Sequence, residues 1–199
     1  MSNTVNKKEN LEILCIIPAR SGSKGIPKKN IKLLNGHPLL SYSIAAAKLS
    51  KKITRTVVTT DSQEIADISL FYGAEVPFLR PDKFSDDNAI DIDYISHALQ
   101  WLEKSEKYIP DLVVLLRPTT PLREAKYIDD AIHELKDNTE ATSLRSSHPS
   151  PEAPFKWFYL KDEFYTPISD EYSLDDTART RQSFPTAYIP NGYVDVIKV

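Results

Sequence analysis

The chain is poor in cysteine: Cys15 is the one cysteine among 199 residues. No disulfide can therefore form within it, which fits a reducing, cytoplasmic setting. Cys15 sits in a short apolar run and reads as a small buried hydrophobe, not a nucleophile. No apolar run approaches the ~20 residues of a membrane span. The start, MSNTVNKKEN, is polar and lacks the apolar stretch of a signal peptide. A membrane partner is not expected. The four histidines (His37, His97, His133 and His148) lack the spacing of metal ligands, and no Ser-His-Asp order stands out. Neither G-x-x-x-x-G-K-S/T nor G-x-G-x-x-G occurs, so the Walker loop and the dinucleotide fingerprint are both missing. Formal net charge is −3, which gives no general field for nucleic acid. There is no internal repeat and no low-complexity block.

What is present is concentrated in residues 14–31, LCIIPARSGSKGIPKKNI. An apolar run, Leu14 to Ile17, opens into a loop with Arg20, Lys24, Lys28 and Lys29 and no acid. Ser21, Gly22, Ser23 and Gly25 separate the cations. Small residues let backbone N–H groups approach phosphate oxygens, and the cations offset phosphate charge. The competing reading is a solvated basic loop. Placement favours the cradle: Pro18 and Pro27 stiffen its ends, and the loop follows the first strand of the chain. In open α/β sheets, ligands bind outside the carboxyl ends of strands.

Apolar strands alternate with helical patterns. The residues predict strands at 11–19, 55–60, 74–79, 112–116 and 141–146, and helices at 38–50, from just after Asp61 to near 73, at 90–104 and at 128–135. Pro38 is placed in the first turn of its helix. Asp61 is expected to cap the next one, with Glu64 reaching back. Ile95, Leu99 and Leu102 share one helix face. This order implies an α/β fold with a doubly wound, mostly parallel sheet. From about His148 the chain turns rich in proline and aromatics, including Trp157, Phe158, Tyr159, Phe164, Tyr165 and Tyr172. These form either an oligomer interface, the reading preferred, or a second small core. Residues 193–199 are expected to rejoin the sheet. Arg80 follows the third strand; its planar fork suits a base or a phosphate, or else a surface salt bridge. Ser85, Asp86 and Asp87 lie just beyond, Asp86 being either pocket or helix cap.

The stretch IPARSGSKGIPKKNI resembles the signature of the acylneuraminate cytidylyltransferases. VVTTDSQEIA, GAEVPFLRP, LLRPTTPLR and RQSFPTAYIPNG follow in the family's order. The resemblance implies one Rossmann-like nucleotidyltransferase domain over 1–199, with a small β-rich dimerisation and sugar-binding extension at 148–190. It implies transfer of CMP from CTP to an acidic, sialic-acid-like sugar, with Mg²⁺ and a homodimer. Arg20 and Lys24 would then stabilise the phosphates. Ser21, Gly22, Lys29, Asn30, Arg80 and Ser85 would bind the nucleotide, Arg80 at the pyrimidine ring. Arg117, Thr119, Arg181, Tyr188 and Asn191 would face the sugar. The chain departs from the family pattern in three places. Arg117 stands where glutamine is common, and Ile189 where arginine is common. The Asp-x-Asp pair of the C-terminal metal segment is missing, so no metal ligands are assigned. Arg117 is expected to take over the carboxylate contact that Ile189 cannot make. A sugar-phosphate nucleotidyltransferase with another base or sugar, and a non-catalytic nucleotide-binding subunit, remain as alternatives.

Overall fold

A computed structural model of the chain describes residues 11–86 and 89–199. The polar start, residues 1–10, and Asp87 lie outside these described residues. The described residues form two compact units: 11–146 with 192–199, and 147–191.

The first unit is built on alternation. In β1 (Ile13–Pro18) every second side chain turns to the same face of the sheet. Ile13, Cys15 and Ile17 join one apolar cluster with Leu40, Ile44, Ile128 and Ile132. Leu14 and Ile16 join another with Tyr94, Ile95, Ala98 and Leu102. The first cluster holds the inner faces of α1 (Leu39–Leu49) and α4 (Ala125–Asp137), together with Ile65 of α2 (Gln63–Phe71). The second holds α3 (Asp91–Glu106). The sheet is thus covered on both faces, as expected. A strand buried on both faces reads as a continuous apolar run, and ILCII is one. Truncating a fully buried residue such as Ile16 to alanine costs about 2–5 kcal/mol.

Strand order is β4-β1-β5-β9-β6, with β4 at Arg55–Thr59, β5 at Leu112–Leu115, β6 at Ser143–Pro149 and β9 at Tyr188–Lys198. β1 is parallel to β4 and to β5. β9 runs antiparallel to β5, with Leu115 opposite Asp195. The predicted strand at 74–79 is reduced to two bridges, Val57 to Glu75 and Thr60 to Leu79. Pro77 lies between them and removes a ladder donor, which confines this segment to the sheet edge. Pro38 proves to be the residue before α1 and not part of its first turn. A short hairpin was not anticipated: β2 (Leu33–Leu34) pairs with β3 (His37–Pro38). Its turn, Asn35-Gly36, has φ of 48° and 84°, the backbone that an Asn-Gly pair favours.

The second unit carries the hairpin β7 (Phe158–Lys161) and β8 (Phe164–Pro167). The rings of Phe155, Tyr172 and Phe184 pack together at centroid separations of 5.1–6.1 Å. Phe158, Tyr159, Phe164 and Tyr165 remain exposed. A small ring cluster is therefore present, and other rings face outward.

Candidate active site

Parallel β1, β4 and β5 end at one edge of the sheet. Loops leaving that edge enclose a cleft of about 450 Å³, within the size range of small-molecule sites. Its walls bring together Arg20, Lys24, Lys29 and Asn30 from the first loop. Arg80 comes from the segment after α2, and Arg117 and Thr119 from the end of β5. Gly22 and Ser85 line an adjoining recess with Arg20 and Lys24. Arg181, Tyr188 and Asn191 belong to the second unit. There Arg181 donates to the carbonyl of Pro151.

The loop is braced by its own residues. Asn30 is buried and donates to the carbonyl of Arg20 at 2.9 Å, so it fixes the loop backbone. Lys28 adopts φ 51° and pairs with Glu64 at 2.8 Å, which takes its charge to the surface and away from the cleft walls. Asp61 does not cap α2. Ser62 does, its hydroxyl accepting from the N–H of Ile65 at 3.4 Å. The Asp61 carboxylate instead accepts from the backbone N–H and the hydroxyl of Ser21, each at 2.8 Å. Local spacing suggested a capping box, but a contact 40 residues away along the chain prevails.

Arg20 and Arg80 grip the same segment. Arg20 donates to the carbonyls of Ser85 and Asp86 at 3.3 and 2.8 Å. Arg80 donates to Phe84 at 3.2 Å and to the carbonyl of Thr59, on β4, at 2.8 Å. Arg80 is 4% exposed, so it is not a surface salt bridge. Its guanidinium lies over the ring of Tyr94, 5.1 Å from the centroid. Burial, with the charge of Arg20, pulls its pKa down against the influence of Asp61 and Tyr94. The Asp86 carboxylate accepts from the N–H of Ala89 at 2.8 Å.

Arg117 is clamped by two acids. It donates to Asp195 at 2.8 Å and to Asp91, which also accepts from the Tyr94 hydroxyl. Burial would raise the pKa of Asp91, but Tyr94 and Arg117 more than offset it and hold the carboxyl below its usual range. Burial likewise opposes the charge on Arg117, and the two acids overcome it. Arg123, overlooked in the sequence, ties the loop after β5 in place. It donates to the carbonyls of Arg117, Gly192 and Tyr193 and to the Ser43 hydroxyl. Burial brings its pKa down to about 10. Only its place in a Pro- and Thr-rich turn hinted at this role.

Among the described residues no cluster of three or more His, Cys, Asp or Glu side chains is arranged to hold a metal. Asp91 is committed to Tyr94 and Arg117, and Asp86 to the turn at Ala89. No all-protein magnesium cage is thus present among the described residues; a magnesium ion held chiefly by substrate phosphates would need only one or two carboxylates.

Fold and cleft define a class: an α/β domain with a cationic, small-residue loop at the carboxyl edge of its parallel strands, an arrangement suited to polyphosphate ligands. Residues 14–173 match the family described as Cytidylyltransferase, and the chain belongs to that family. It is 34% identical over 183 residues to an N-acylneuraminate cytidylyltransferase of Escherichia coli O18:K1:H7, a match covering 92% of this chain and 41% of that protein. It is 40% identical over 122 residues to a CMP-N,N'-diacetyllegionaminic acid synthase of Legionella pneumophila, covering 61% of this chain and 52% of the other. The chain thus spans about half the length of these relatives. Among solved structures, a CMP:2-keto-3-deoxy-manno-octonic acid synthetase complexed with CTP superposes with a TM-score of 0.67 at 13% identity. That match covers 94% of this chain and 74% of the other, and it speaks to the fold alone.

Proposed function

We propose that this chain is a cytidylyltransferase that moves CMP from CTP to an acidic, nonulosonic-type sugar. A sugar hydroxyl oxygen attacks the α-phosphorus of CTP, the bond to the β-phosphate oxygen breaks, pyrophosphate leaves, and the hydroxyl proton is lost to solvent. No covalent enzyme intermediate is required. The observation that carries this reading is the convergence of Arg20, Lys24 and Lys29 on one cleft wall in a chain of the cytidylyltransferase family. Fixed cations beside the triphosphate stabilise charge as it moves to the leaving group, and positioning supplies much of the rest. Arg80 and Ser85 are assigned to the nucleotide, and Arg117 and Thr119 to the sugar side. No step is routed through a metal. Both relatives named above carry acidic sugars in their names, which supports the choice of acceptor.

The test is pyrophosphate release with CTP, Mg²⁺ and a panel of nonulosonic acids, run on this 199-residue chain. Release that depends on sugar and on CTP, and fails with ATP or GTP, supports the proposal. CTP binding without release favours a nucleotide-binding subunit. We further propose a homodimer formed through the exposed hairpin rings, with Phe164 76% and Tyr165 64% exposed. Sedimentation of Phe164→Ser/Tyr165→Ser against the unmodified chain tests it, an unchanged mass ruling the hairpin out as the interface. A cytoplasmic setting goes with a CTP-dependent reaction. No helix of the described residues is long and apolar enough to cross a membrane.

A further inference from the structure

We infer that Asp61 is a positioning residue that shapes the phosphate loop before the nucleotide arrives. Loop residues 20–29 contain four cations and no acid. Such a segment repels itself and needs an external acid to hold one shape. Glu64 reaches it at Lys28, on the surface. Asp61 reaches it at the turn itself, taking both the backbone N–H and the hydroxyl of Ser21. Both bonds engage a charged acceptor, the stronger kind of hydrogen bond. They fix the residue between Arg20, on the cleft wall, and Gly22 of the adjoining recess. The N–H of Ser23 turns back onto the carbonyl of Ser21 at 3.0 Å, so the turn that Asp61 pins continues toward Lys24.

The placement also answers an electrostatic problem. Arg20 and Arg80 both lie on the cleft wall and hold one loop, and Arg20 disfavours the charge on Arg80. Asp61 favours the charge on Arg80 and so offsets that repulsion. With Ser21 N–H committed to Asp61, the donors left for a phosphate come from elsewhere in the loop. Ser21 thereby moves from the set of direct nucleotide contacts to the set that shapes the loop. Asp61 is free for this work because Ser62 caps α2.

The inference rests on the CTP reading, and the experiment keeps the two apart. CTP affinity is measured by calorimetry on the full chain and on Asp61→Asn, Asp61→Ala, Ser21→Ala and the Asp61→Ala/Ser21→Ala double variant. Hydrogen exchange of residues 20–26 is followed without ligand. Asparagine can accept from the Ser21 N–H and donate to its hydroxyl oxygen, so it keeps the geometry without the charge. We expect Asp61→Ala to weaken CTP about tenfold and Asp61→Asn less than about threefold, at unchanged Tm. The double variant should bind no more weakly than Asp61→Ala alone, because both changes break one link. Exchange in the loop should speed up about tenfold in Asp61→Ala. Unaltered or tighter CTP binding by Asp61→Ala, or equal losses in Asp61→Asn and Asp61→Ala, would overturn the inference. If the unmodified chain does not bind CTP, the proposed function fails. The exchange arm then decides for Asp61 alone, and an unchanged rate in Asp61→Ala sinks it.

Discussion

Arg117→Gln installs the residue common at this position in the resembling family and removes the centre of the Asp91–Arg117–Asp195 clamp. The side chain of Asp195 is 6% exposed and that of Asp91 is 45% exposed. Removing one partner of a fully buried ion pair costs about 3–5 kcal/mol. Here Asp91 is open to water, and Arg145 still stands 3.4 Å from Asp195. The cost should fall to about 2–3 kcal/mol after that discount. For a chain of this size each kcal/mol moves Tm by about 2–4 °C, so a fall of about 4–12 °C is expected. Calorimetry at pH 7 on Arg117→Gln, and on Arg117→Gln/Asp195→Asn, reads it. The second change removes the stranded charge and lets two amides bond, so it should restore more than half of the loss. The pH dependence has a definite sign. The Asp91 carboxyl is depressed in the folded state, so its stabilisation is present above its ordinary value of 3.8 and lost as pH falls through the lower folded value. Arg117→Gln should therefore flatten the acid side of the stability curve. A Tm within 1 °C of the parent, or a double variant less stable than the single, would refute the clamp. If the fold holds and only the KM of the acidic acceptor rises, Arg117 touches the sugar directly, as the sequence suggested.

Gly25 lines the cleft, and a Cβ built there meets no protein atom within 4 Å. Gly25→Ala should leave Tm unchanged or slightly higher while weakening CTP in calorimetry; equal CTP affinity would favour a merely solvated loop over a cradle. The β7–β8 turn holds Asp162 and Glu163 at φ 48° and 67°, without glycine or asparagine. Replacing the pair by Asn-Gly should stabilise the hairpin by about 1 kcal/mol, read as slower hydrogen exchange over residues 158–167. Burial pushes the Cys15 thiol far up, only partly opposed by Arg123. It should stay unmodified by a thiol reagent at pH 8 until the chain is unfolded, and labelling of the native protein would contradict its placement in the core.

Where side chains answer to near neighbours, the sequence was readable. β1 showed as an apolar run because it is covered on both faces, and α3 because Ile95 and Leu102 recur at helical spacing. The segment at 74–79 looked like a strand by composition, yet Pro77 withholds the donor that a ladder requires. Asn35-Gly36 carries its hairpin signal openly, since an Asn-Gly pair favours this turn.

The cleft was harder to read because its chemistry is paired over long distances. The cations of the first loop could be recognised from residue type alone, but their counterparts could not. Asp61 reaches back 40 residues to Ser21, and Arg117 reaches 26 residues to Asp91 and 78 to Asp195. Asp61 had a local role available, as a helix cap. Local spacing weighs such roles without seeing the cation or the open N–H that the fold brings alongside. A half-buried cation such as Arg123 needs several oxygens to replace water, and they come from Ser43 on α1, Gly192 and Tyr193 on β9, and Arg117 six residues back. The same reasoning applies to Arg80, whose bonds to the Thr59 and Phe84 carbonyls spend part of its fork on the loop that it positions. Arginines in this cleft therefore act first on the protein's own carbonyls and carboxylates. What they offer a nucleotide is the charge and the N–H groups that remain.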